Sequence, residues 1–190
     1  MIRLLALGAA LLLTAASPVA WLDAKTLPTW NTSATLPART GAADPQLAKS
    51  GRCYDSTRPA TSPEDRQLIA RGWSLVGPYQ RYGATVIVTG MGGVDGMCRP
   101  EAFQTFVFVG GAFAGTLSPK LMNAREDASI ASLGVSLYNA SDFAADFARY
   151  SADDPLCCPH ATTTVMYEIK TVNGRPRVVA DSAATQKNPQ

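Results

Sequence analysis

A chain of 190 residues with 46% hydrophobic and 17% charged residues carries enough apolar material for one folded domain with appendages, which excludes a disordered chain. Its net charge of +2, without basic runs or blocks of like charge, excludes a nucleic-acid footprint and an acidic or basic interaction tail.

Residues 1–24, MIRLLALGAALLLTAASPVAWLDA, set Arg3 before an apolar stretch from Leu4 to about Ala16, followed by small residues. That is the layout of an export signal peptide, with cleavage after Ala20 or Ala24. The alternative is an uncleaved anchor, because the apolar run reaches Trp21 and approaches the roughly 20 residues that span a bilayer. Pro18 and the density of Ala and Gly argue for the cleaved form. Either way the domain is expected outside the cytoplasm, periplasmic or secreted, and meets membrane only through this segment if it stays attached.

Residues 25–58 lack sustained periodicity and are rich in Thr, Ala, Pro and Ser, so they are expected to form a flexible N-terminal arm, with Cys53 as a tether point. The domain proper is expected over 59–180, with 181–190 as a frayed tail. SPEDRQLIARGW opens it with a helix: Ser62 as cap, Pro63 at the first helical position, Glu64 and Asp65 in the first turn, and Gly72 as the stop. Leu68 and Ile69 are expected to face a core.

Strand patterns follow. WSLVGPYQ and GATVIVTGM are β-branched and aromatic runs between turn formers. The glycine-rich GMGGVDG (90–96) lacks both the phosphate-loop pattern and a following helix, so it is expected to be a turn ahead of Cys98. Phe103–Val109 and Ala112–Leu117 flank Gly110-Gly111, and TTTVMYEIKTV and RPRVVAD flank Asn173-Gly174; both pairs suit the positive φ of a tight hairpin turn. ASIASLGVSLY adds a further run, and DFAADFARY alternates Phe143, Ala145 and Phe147, which favours strand over helix. Trp73, Tyr79, Tyr82, Phe106, Phe108 and Phe113 are expected as core and sheet-face aromatics. Consecutive hairpins without long crossovers predict an α+β fold: a mainly antiparallel β-sheet, a meander of hairpins with one short helix, stapled by disulfides.

FVFVGGAFAGTLSP, followed by ADFARYSADDPLCCPHATTTVMYEI, resembles the LppP/LprE-type lipoprotein family of bacterial envelope proteins, over roughly Ser74 to Ile169. Its marks are the F-x-F-x-x-G-x-F-x-G-T-L-S-P hairpin and the R-Y…D-P-L-C-C-P loop. The resemblance implies an exported domain of unassigned activity and transfers no catalytic or binding residues. No cysteine precedes Cys53, so lipid anchoring does not carry over.

Cys53, Cys98, Cys157 and Cys158 form an even set for an oxidising compartment, which predicts two disulfides. An extended Cys157-Cys158 pair points its side chains opposite ways, and bridging the two to each other closes a strained eight-membered ring. One of the pair is therefore expected to bond Cys98 and the other Cys53. A zinc reading would use Cys98, Cys157, Cys158 and His160, but adjacent cysteines converge poorly on an ion. A nucleophilic thiol with His160 as base has no evident Asp or Asn to orient the imidazole. Arg149, Asp153 and Asp154 are candidates for a polar cluster around that loop. No catalytic, cofactor-binding or metal residues are assigned.

The function expected from these features is a non-enzymatic binding or structural module that meets an unknown envelope protein or component through its sheet face or loops. The alternatives are a thiol-dependent enzyme or metal-binding protein centred on Cys157, Cys158, Pro159 and His160, and a small-ligand carrier.

Overall fold

The structure is a computed structural model that describes residues 20–189. The helix α1 spans Pro63–Ala70, and Ser62 and Asp65 close a reciprocal capping box at its start. Arg58 locks that start, donating to Asp65 from Nη1 and Nη2 at 2.8 and 2.6 Å. Leu68 is buried, but Ile69 turns outward at 49% exposure, because one helical turn presents only one of two adjacent residues to the sheet beneath.

Eleven strands follow: β1 Ser74–Tyr82, β2 Thr85–Met91, β3 Gly93–Val94, β4 Pro100–Glu101, β5 Gln104–Val109, β6 Ala112–Thr116, β7 Ser129–Ile130, β8 Ser136–Leu137, β9 Asp142–Arg149, β10 Ala161–Val172 and β11 Arg175–Lys187. The four-stranded first sheet has the order β1-β2-β5-β6. The second has the order β11-β10-β9-β7, with β8 also paired to β9, and β3 with β4 forms a small separate ladder. Every pairing is antiparallel, as expected for a meander. The two glycine-bearing turns take the positive φ their sequences predict: 57° and 81° at Gly110-Gly111, 53° and 73° at Asn173-Gly174. DFAADFAR is a strand, with Phe143, Ala145 and Phe147 all buried.

Two apolar layers explain the runs in β2 and β5. Ile87 and Val107 join Phe143, Phe147, Val165, Tyr167 and Val178 in a core between the sheets. Val86, Val88, Phe106 and Phe108, one residue out of step, face a second cluster with Leu68, Trp73 and Leu36 on the helix side. The first sheet is thus covered on both faces, which is why TVIVTGM and TFVFV read as continuous apolar runs.

The segment expected to be a loose arm over 25–58 is instead packed across the sheets. Trp30 of this segment packs edge-on against Trp21, which with Leu22 precedes it in the inter-sheet core, at 5.3 Å, and Trp21 meets Phe147 at 5.1 Å. Leu36, Leu47 and Cys53 are also buried. Asn31 sits where the two sheets approach. Its Nδ2 donates to the Thr116 carbonyl of β6 at 2.9 Å and to the Val178 carbonyl of β11 at 3.1 Å, and its Oδ1 accepts the Thr116 amide at 2.8 Å. Gly115 makes room, since a Cβ there would come within 2.5 Å of the Asn31 side chain. These anchors are single residues separated by polar stretches, so no periodicity betrays them.

The predicted frayed tail is likewise corrected. Asp181–Lys187 continues β11 and pairs along β10 as far as Ala161, though its side chains stay exposed. Of the expected signal peptide, residues 1–19 lie outside the described residues. Residues 20–24 do not behave as a discarded flank, because Trp21 and Leu22 are core and Asp23 pairs with Arg149 at 2.8 Å.

Candidate functional site

The loop Asp154–His160 is closed by one carboxylate. Asp154 accepts the Ser151 amide at 2.9 Å and its hydroxyl at 2.7 Å, then the His160 amide at 3.0 Å, and its Oδ2 lies 2.8 Å from His160 Nδ1. These contacts, Ser151's first and His160's next, hold the Asp154 carboxyl far below the usual carboxylate range. Inside the loop Cys158 N–H donates to the Pro155 carbonyl at 2.9 Å, a tight turn. Tyr150 Oη donates to the Leu156 carbonyl at 3.1 Å, and Asn188 holds the Pro159 and His160 carbonyls from outside.

That turn overturns the expected disulfide pairing. Cys157 and Cys158 are bonded to each other, with Cα atoms 3.8 Å apart, and Cys53 is bonded to Cys98 at a Cα separation of 5.2 Å. The expectation assumed an extended 157–158 segment. In a turn the two side chains leave the backbone on the same side instead. Both cysteines of the vicinal pair are exposed, whereas Cys53 is 1% exposed.

Cys98 reaches Cys53 because its loop curls under local control. Asp95 Oδ1 accepts the Met97 and Arg99 amides at 2.8 and 2.9 Å, and Arg99 Nε donates to Asp95 Oδ2 at 2.5 Å. These bonds, led by the Arg99 side chain, pull the Asp95 carboxyl down to about 2. Cys98 itself takes a φ of 62°. The packed segment then clamps the loop: Asp44 Oδ2 accepts the Val94 amide at 3.0 Å, Ser56 Oγ donates to the Cys98 carbonyl at 3.2 Å, and Arg52 donates to the Gly96 carbonyl. The glycine-rich stretch is a tied turn beside a disulfide, as expected.

Between these loops lies a cleft of about 440 Å³. Phe103, Ile130 and Leu133 form an apolar wall. The rim is built by Arg99 and Pro100 from one loop, Ala124 and Arg125 from a second, and Cys157 and Pro159 from the third, with Tyr150 alongside. Two of these loops also project large apolar side chains into solvent, Met97 at 71% and Leu156 at 62% exposure. Arg99 is committed to Asp95, whereas Arg125 meets no carboxylate among the described residues.

Sequence reasoning singled out Cys157 and His160 but not Arg99, Arg125, Tyr150, Met97 or Leu156. Met97 and Leu156 carried a local signal, large apolar residues inside turn-rich stretches; Arg99, Arg125 and Tyr150 carried none. Other candidates fall apart. Arg149 pairs with Asp23 and Asp127, at 2.8 and 2.9 Å, rather than with Asp153 or Asp154. The zinc set is not assembled, because Cys98 is bonded to Cys53; among the described residues no group of three metal-ligating side chains converges. In the other direction, Asp154 supplies the orienting carboxylate for His160 that the sequence did not reveal. Among the described residues no helix is long and apolar enough to cross a membrane.

A family model described as LppP/LprE lipoprotein matches residues 80–171, which takes in β2 to β10 and the cysteine loop. No curated protein and no solved structure matches the chain.

Proposed function

We propose, from the match of residues 80–171 to the LppP/LprE lipoprotein family model, that the chain is a non-enzymatic binding module of the cell envelope, working outside the cytoplasm through the cleft beside the cysteine loop. The lipoprotein family and the disulfides support the extracytoplasmic location. The observation that carries the binding role is the rim. Three loops converge on an apolar wall; two of them expose Met97 and Leu156 close in sequence to the lining residues Arg99 and Cys157, and the third carries Arg125, which meets no carboxylate among the described residues. Exposed apolar side chains around a concave floor suit recognition of a protein or other envelope component. A pull-down from native envelope extract tests this, with the wild-type domain against Met97→Ser/Leu156→Ser/Arg125→Glu. A partner retained by the first and lost by the second is the expected result. Equal capture by both sinks the cleft as the recognition site.

A second reading has the Asp154–His160 contact in its favour: a thiol-dependent role for Cys157 and Cys158, with His160 oriented as a base. A thiol count on the natively exported protein separates the two. No free thiols is the outcome for the binding module, and two reactive thiols, or one bound zinc per chain, the outcome for the rival. A small-ligand carrier would reveal itself through a discrete molecule co-purifying with the native domain, identified by mass spectrometry.

A further inference from the structure

Away from the cysteine-loop cleft, with which they share no lining residue, two clefts of about 320 and 510 Å³ run into each other, sharing Ala34, Arg175 and Pro176 in their walls. Four pieces of chain build this groove: the packed segment around residues 31–36, the end of α1 with Gln67 and Arg71, the turn between β5 and β6, and the turn between β10 and β11. The lining carries Arg71, Arg175 and Arg177 and not a single Asp or Glu. None of these three guanidinium groups meets a carboxylate among the described residues. On a chain whose net charge is only +2, that is a local concentration of unspent positive charge.

The rest of the lining is rich in hydroxyl and amide groups, with Ser33 and Asn173 among them, and includes the half-buried Phe113 ring. A guanidinium fork matches a carboxylate through paired N–H bonds. Hydroxyls and amides exchange hydrogen bonds with sugar hydroxyls, and an aromatic face covers the apolar side of a sugar ring. We propose that the groove between the residue 31–36 segment, the end of α1 and the two hairpin turns binds a linear acidic polysaccharide, its carboxylates on Arg71, Arg175 and Arg177. Two adjoining clefts that share a wall suit a chain laid across both better than a flat anionic membrane. This site is independent of the cleft beside the cysteine loop, and neither Arg175 nor Arg177 lines that cleft.

The test is titration of the full domain with short oligogalacturonate, followed calorimetrically at low and high salt, with dextran as the neutral control. Oligogalacturonate is expected to bind and dextran not to. Arg175→Glu/Arg177→Glu should weaken binding about tenfold or more while capture of a partner by the other cleft is unchanged. Hydrogen exchange on the wild-type protein gives a readout that needs no variant: added oligogalacturonate should slow amides at 32–36 and 172–177. The proposal is overturned if oligogalacturonate fails to bind, if charge reversal leaves its affinity unchanged, if protection appears elsewhere, or if anionic lipid vesicles bind this groove while the glycan does not.

Discussion

Asn31 is the residue on which the meeting of the two sheets turns. Its amide fills three hydrogen-bonding vacancies on β6 and β11, all of them buried. Asn31→Ala leaves those groups unpaired, at a cost of about 2–4 kcal/mol in urea unfolding. Nothing in TWNTS announces this, because an isolated Asn beside a Trp and a Thr reads as loop. Asp65 makes the matching case for acid stability. Burial raises its pKa, but Arg58 and the Thr61 amide and hydroxyl outweigh burial and leave it below its ordinary value. A depressed folded-state pKa contributes stability that is complete above the ordinary carboxylate value, about 3.9, and is lost as pH falls through the folded value. Tryptophan-detected unfolding should therefore show stability declining below about pH 4, and Asp65→Asn should flatten that decline while lowering stability at neutral pH. The two disulfides differ in the same physical terms. The Cys53–Cys98 bond closes 45 residues of chain, worth about 4 kcal/mol in unfolded-state entropy. The adjacent pair closes almost none and contributes about 1 kcal/mol or less. Cys53→Ala/Cys98→Ala should thus lower stability far more than Cys157→Ser/Cys158→Ser. Stepwise reduction with alkylation should label the exposed pair before the buried one.

At the scale of elements, what the sequence revealed depended on repetition. The Gly110-Gly111 and Asn173-Gly174 hairpins, the capped helix and the alternating β9 each carry a local pattern that tertiary packing then agreed with. The segment from Trp21 to Cys53 carries no such pattern, since it holds on through scattered anchors: Trp21, Trp30, Asn31, Leu36 and Leu47. Low periodicity therefore misled, and so did the assumption of an extended backbone at Cys157-Cys158, where the Pro155 turn decides the pairing. The packing has a bearing on processing. Cleavage after Ala24 would strip Trp21 and Leu22 from the core and Asp23 from Arg149, whereas cleavage after Ala20 keeps all three. Intact-mass measurement of the exported protein should find a mature chain that retains Trp21. A chain begun at Lys25 should be less stable by about 3–5 kcal/mol, the range for emptying a buried tryptophan site.

Taken whole, the molecule is layered: helix with Leu36, first sheet, an inter-sheet core that also takes Trp21, Leu22, Leu47 and Cys53, second sheet. Composition and hairpin order implied one antiparallel sheet system, but not its division in two, because the strands of both halves share one pattern language. That division sets where the fold is firmest. In native-state hydrogen exchange the amides of Val86–Val88 and Phe106–Phe108, covered on both faces, should be the last to exchange, well after the exposed loop at 152–157. The Asn31 bridge adds a constraint of another kind. Its partner Val178 lies 147 residues further along the chain. On the proposed export route, with the chain threaded from its N-terminal side, an early-emerging segment is completed by a strand that emerges late. Closure must then wait for the final hairpin, and until it arrives the tryptophans of the leading segment have no finished surface to settle on.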